Sequence, residues 1–187
     1  AEFQAPEERD FDSAPPEDAP TNLLDMLRVM DVTHFWDARA ELPQHLTNRY
    51  RTRFSGNCRR IIVHHTASDN DASWAAVASY HGAKGWPGIG YHFGITPDGA
   101  VTLLNGIDVV SYHAGIANHD SIGIVFAGDY RTEHLTDAAE DAFWELVRTL
   151  EEFLRHDLQI RGHRDVAATV CPGDNLYRPL LLKIPAQ

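Results

Sequence analysis

The segment GHRDVAATVCPG, residues 162–173, sets His163 and Cys171 eight positions apart between two glycines. A histidine and a cysteine on one short loop admit three readings: paired metal ligands, a thiol nucleophile with its base, or a small buried thiol beside an unrelated imidazole. A catalytic zinc takes three protein ligands from imidazole, thiolate or carboxylate and leaves a fourth position for water. Cys171, His163 and one further histidine would meet that requirement. A cysteine nucleophile needs a histidine and a polar group to orient it, and Asp165 is available for that task. Spacing alone leaves these readings open. The chain holds eleven histidines in 187 residues. Four of them, His64, His65, His92 and His163, fall where strands are predicted to end, the place from which a sheet presents side chains to a shared cleft. There are only two cysteines, which excludes a disulfide-built scaffold.

The elements that must position these residues are legible in the pattern. RRIIVHH, ending at His64 and His65, is a continuous β-branched apolar run of the kind found in buried strands. Ser73 is placed to cap a helix over SWAAVASYHGAK, with Gly85 closing it. IGYHFGITPDGAVTLLN reads as a hairpin about Pro97-Asp98-Gly99, and SIGIVFAG as a second buried strand. Thr136 precedes the longest helix, predicted to about His156. There Ala139, Phe143, Leu146, Leu150 and Phe153 recur at helical spacing and belong to the core rather than to a site. LQIRGH is a short strand leading into the opening motif, and NLYRPLLLKI a final helix. Interleaved strands and helices predict an α/β domain with a central mixed sheet flanked by helices.

At this length and 43 % hydrophobic content, a single domain with an N-terminal extension is expected. Residues 1–20 carry seven acids against Arg9 alone and are rich in proline. This reads as a disordered arm and holds about half of the net charge of −11. Residues 21–58 form an extension, with a short helix over TNLLDMLRVM capped by Thr21 or Asn22, and residues 59–187 form the main domain. Between Leu46 and Arg60 stand five arginines and no acid. They read either as a solvated approach to the first strand or as a patch for an anionic polymer. The overall acidity argues against nucleic-acid binding, which rests on clustered Lys and Arg. No apolar run approaches the roughly 20 residues that span a bilayer, and no stretch reads as a signal peptide.

Four ordered strings, RRIIVHHTAS, GWPGIGYHFGITPDG, HAGIANHDSIGIVFAGDY and GHRDVAATVCPGDNLY, resemble the zinc-dependent N-acetylmuramoyl-L-alanine amidase (type 2) and peptidoglycan recognition protein superfamily, which includes the phage lysozyme-type amidases. The resemblance covers residues 59–182. It implies one zinc ion per chain held by His64, His163 and Cys171, with His65 the rival to His64, since strand alternation turns only one of the pair toward the cleft. It also implies Tyr91 as the catalytic tyrosine and Thr169 as a contact to the reaction intermediate. Where lysozyme-type members carry a lysine two residues before the cysteine, this chain has Thr169, as do animal recognition proteins with amidase activity. Arg164 and His113 are then candidates to stabilise charge. His113, in the HAG string that lines the groove in relatives, Asn118 and Trp86 are expected on the substrate side, and the pair Gly85-Trp86 points to meso-diaminopimelic acid in the stem peptide. Arg164 could instead pair with Asp165, and Asn118 could serve only to fix a loop.

The implied activity is hydrolysis of the amide between N-acetylmuramic acid and L-alanine through a zinc-activated water. Zinc lowers the pKa of its water from ~15.7 toward about 7 and polarises the scissile carbonyl. A non-catalytic peptidoglycan sensor on the same fold is the alternative. The expected partner is peptidoglycan, engaged by a monomer acting at the cell wall. The protein would be secreted, periplasmic or released at phage lysis, as endolysin or autolysin.

Overall fold

The computed structural model describes residues 22–182. The acidic arm expected over residues 1–20 lies outside the described residues, as does the end of the last predicted helix. The centre of the molecule is a six-stranded mixed sheet. In spatial order it runs β1 (His34–Asp37), β5 (Ala100–Leu103), β4 (Phe93–Ile95), β7 (Ser121–Phe126), β3 (Arg60–His65) and β8 (Gln159–Gly162). Strands β4, β7, β3 and β8 are mutually parallel, and the β4–β5 hairpin reverses direction at Pro97-Asp98-Gly99. Gly99 sits at φ +83, a conformation that costs glycine nothing. A separate two-stranded ribbon joins β2 (Arg51–Thr52) to β6 (Val109–Val110).

Alternation along β3 divides its side chains between two environments. Ile61 and Val63 join the main core with Ile122, Ile124 and Phe126 of β7, beneath the long helix α3 (Asp137–Leu154). Ile62 faces the opposite side, with Ala114 and Ala117. That opposite side also carries α2 (Trp74–Ala83), whose Ala78 packs with Val125 and Leu104. Helix α3 begins where Thr136 Oγ1 accepts the N–H of Ala139 at 3.2 Å, and it buries Ala139, Phe143, Leu146 and Leu150, the positions that helical spacing selects. Ser73 caps α2 in the same manner, and α4 (Asp174–Leu181) closes the described chain.

The segment before β3 is integrated with the sheet. Helix α1 (Leu23–Arg28), capped by Asn22, buries Leu27 in the core beside α3. Strand β1 extends the sheet by pairing in parallel with β5, His34 opposite Ala100 and Asp37 opposite Leu103. The arginines of the basic stretch are largely engaged internally. Arg53 donates to the carbonyls of Ile107, Asn118 and Ser121 at 2.7–2.9 Å, Arg59 to that of Gly56 and Arg60 to Asp120. Among the described residues no helix is long and apolar enough to cross a membrane.

Candidate metal centre and cleft

His64, one residue beyond Val63 on β3, inherits the side of the sheet opposite α3. His65 turns the other way, accepts the backbone N–H of Tyr130 at 3.2 Å and lies 3.7 Å from Asp129. Strand alternation thus separates the two rivals, and it is His64 that meets the 162–173 loop. That loop leaves the sheet at β8, where Asp165 accepts the N–H of Gly162 and turns the chain so that His163 points back. The ligand atoms of His64, His163 and Cys171 all lie within 4.8 Å of one another. His64 Nδ1 stands 3.8 Å from Cys171 Sγ, and the His64 and His163 rings are 4.5 Å apart. Zn–N bonds of about 2.0–2.1 Å and a Zn–S bond of about 2.3 Å put tetrahedral ligand atoms roughly 3.4–3.6 Å from each other. Two imidazoles and one thiol fit zinc in donor type, and the 3.8 Å between His64 Nδ1 and Cys171 Sγ lies within a few tenths of an ångström of the span it requires.

Burial controls the electrostatics. His64 is held well below its ordinary pKa by desolvation, then by the neighbouring His113 and His163, and His163 is lowered by burial. Both imidazoles are thus neutral, with lone pairs to offer. Burial pushes the Cys171 thiol up to about 11, although the His65 backbone N–H and Arg164 pull the other way. A nucleophilic cysteine requires the opposite shift. Asp165, which would have to orient the histidine of a dyad, spends its second oxygen on Tyr177 Oη at 2.7 Å. The geometry therefore suits metal ligation better than a thiol nucleophile.

Tyr91 lies just before β4 with its ring 5.2 Å from that of His64, and burial raises its pKa, so the phenol keeps its proton. Asn105 fixes this stretch by donating to the carbonyls of Ile89 and Tyr91. Trp86 stacks on His81, 4.6 Å between centroids, and His81 in turn lies 5.5 Å from Tyr91, giving an aromatic wall that leads away from the metal ligands. Thr169 is exposed, and its Oγ1 accepts the N–H of Cys171 at 3.2 Å.

Three residues expected at the substrate side are held inward. Arg164 donates to Asp174 and to the carbonyl of Val170, each at 2.6 Å, and lies over the Tyr177 ring, so it clasps the ligand loop. Its ion-pair partner is Asp174, not Asp165. Asn118 Oδ1 accepts the N–H groups of His113 and Ala114 at 3.1 and 2.7 Å. His113 is 7 % exposed and has a partner at each ring nitrogen, His64 and Ser121. His92, expected at a strand end, is buried, accepts the N–H of Gly123 at Nδ1 and contacts the Val109 carbonyl through Nε2. The sequence reading passed over Ser121, Asn105 and Arg53. None belongs to a pattern: Asn105 and Arg53 act through backbone carbonyls distant in the chain, and Ser121 through the ring of His113.

The profile of the N-acetylmuramoyl-L-alanine amidase family matches residues 55–174. Peptidoglycan-recognition protein LB of Drosophila melanogaster is 32 % identical over 153 residues, covering 76 % of this chain; the chain spans 63 % of the length of that relative. Among solved structures, the endolysin N-acetylmuramoyl-L-alanine amidase LysCS from Clostridium intestinale superposes with a TM-score of 0.64 at 26 % identity, covering 81 % of this chain and 95 % of the endolysin. A variant of Drosophila PGRP-LB in complex with tracheal cytotoxin superposes at 0.69 with 27 % identity, covering 79 % and 93 % respectively.

Proposed function

The chain belongs to the N-acetylmuramoyl-L-alanine amidase family, and on that premise we propose that it is a zinc hydrolase of peptidoglycan, cleaving the amide between N-acetylmuramic acid and the L-alanine of the stem peptide. The observation that carries this reading is the convergence of His64, His163 and Cys171, two neutral imidazoles and a thiol within 4.8 Å. Zinc, when bound, supplies a water ionised near neutral pH and a Lewis acid for the scissile carbonyl. The remaining work falls to the chain. Tyr91, protonated and beside His64, is a donor for the carbonyl oxygen as charge develops on it. Thr169 accepts from Cys171 N–H and so leaves its hydroxyl proton to donate to the same oxygen. Arg164 holds the loop that carries two ligands. Trp86, half-buried and backed by His81, offers a stacking surface for the stem peptide or sugar, and the pair Gly85-Trp86 supports a stem peptide of the meso-diaminopimelic acid type. Such an enzyme acts at the cell wall.

The test is mass analysis of fragments released from purified peptidoglycan, with and without chelator. The expected products are stem peptides with a free L-alanine amine, lost on chelation, restored by zinc and absent for Cys171→Ser. Retained binding without release at saturating zinc would replace this reading with that of a sensor. Inactivation by thiol alkylation with indifference to chelator would point to a cysteine nucleophile.

A further inference from the structure

Behind His64 lies a buried polar series whose proton positions can be worked out from its far end. Ser121 Oγ is hydrogen-bonded to the carbonyl of Ala117, an oxygen that can only accept. The single hydroxyl proton of Ser121 is committed there, so toward His113 Nε2, 3.4 Å away, Ser121 must accept. His113 therefore carries its proton on Nε2 and presents a bare Nδ1. That Nδ1 lies 3.0 Å from His64 Nε2, which must then donate. The only lone pair left on the His64 ring is at Nδ1, the nitrogen that faces Cys171 Sγ.

The ring of His113 is fixed as well as oriented. It lies against Gly123 of β7, where an added Cβ would stand 2.7 Å from His113 Cγ. Asn118 Oδ1 holds its backbone N–H, and Arg53 in turn anchors the Asn118 and Ser121 carbonyls at 2.7 and 2.8 Å.

We propose that Ala117 O, Ser121 and His113 form a one-way hydrogen-bond relay that locks His64 in its Nε2–H tautomer and so presents Nδ1 to the metal. His113 is then a positioning residue acting through His64, not a substrate contact. Its use for zinc rests on the amidase reading; the tautomer lock does not. Outer hydrogen-bond partners of metal ligands typically matter by about 10–100-fold in metal affinity.

Long-range proton–nitrogen NMR of the metal-free, 15N-labelled chain reads the tautomers without any substitution. Both His64 and His113 are expected with a protonated Nε2 and a bare Nδ1, and a His64 that carries its proton on Nδ1 overturns the relay. Zinc affinity, measured by competition with a chromophoric chelator, is expected to fall about 10–100-fold in Ser121→Ala and His113→Leu. Partial recovery is expected in His113→Asn, whose side-chain carbonyl can accept from His64. Wild-type affinity in Ser121→Ala, with the His64 tautomer unchanged, overturns the relay. A wild-type chain that shows this tautomer pattern yet binds no zinc would sink the amidase reading and leave the relay intact.

Discussion

Binding of zinc to this chain should release between one and two protons at pH 6.5, about 1.2–1.8. The perturbation is the addition of zinc to metal-free protein, and the number follows from the three ligands. Cys171, pushed up to about 11 by burial, is a thiol at this pH and must lose its proton to become a ligand. His64 is held well below the ordinary histidine range by burial and is already neutral; His163 is lowered by burial too, so less than half of it carries a proton at this pH. A zinc-bound water with a pKa near 7 adds roughly 0.2–0.3 of a proton at pH 6.5. The sum is about 1.2–1.8 protons per zinc, and the thiol's share alone makes the apparent affinity rise about tenfold per pH unit. Isothermal titration calorimetry in two buffers of different ionisation enthalpy gives the count directly. A value below about 0.5 would mean that Cys171 is already a thiolate or is not a ligand. A value above about 1.8 would mean that a site histidine was protonated before binding. Either would refute the picture of a dry site made of neutral donors.

Arg164→Ala removes the bond to the Val170 carbonyl and a half-exposed pair with Asp174. A loss of about 1–2 kcal/mol in urea unfolding is expected, together with weaker zinc binding; unchanged affinity would show that the loop holds its shape without the clasp. His92 is fully buried and its pKa is lowered to about 3, so the unfolded chain, with histidine near 6.5, binds the extra proton between those values. Stability of the metal-free protein should therefore fall as pH drops from 6.5, by up to about 1.4 kcal/mol per unit from this residue alone. Urea midpoints that stay level from pH 7 to 5 would contradict this. Phe143→Ala, which empties a fully buried site under the sheet, should cost about 3–5 kcal/mol, read by thermal or chemical denaturation.

The parts of the fold that carry local signals were legible in the sequence. The β-branched run before His64, the caps at Ser73 and Thr136, and the apolar spacing of α3 each follow from chemistry within a few residues. Strand β1 was not legible. HFWD is four residues long and half exposed, and its partner β5 lies more than sixty residues away, so no periodicity announces it. The same distinction runs through the site. His64, His163 and Cys171 stand out by residue type and by the company of four motifs. The inward roles of His113, Asn118 and Arg164 depend on which way a side chain turns. A histidine that touches substrate and one that steadies a ligand look identical on a string of letters. The five arginines from Arg49 to Arg60 looked like a charged surface because sequence records charge but not the carbonyls that Arg53 reaches.

Arg53 and β1 together set where this domain may be cut. A fragment begun at residue 55, where the family profile starts, would lack Arg53 and untie the carbonyls of Asn118 and Ser121. It would also strip β1 from β5, leaving Ala100–Leu103 as a bare edge able to pair with another chain. Such a minimal domain should self-associate in sedimentation runs that show the longer chain as one species. The forty or so residues ahead of the first motif act less as an appendage than as a selvedge, the woven margin that keeps the cloth from fraying.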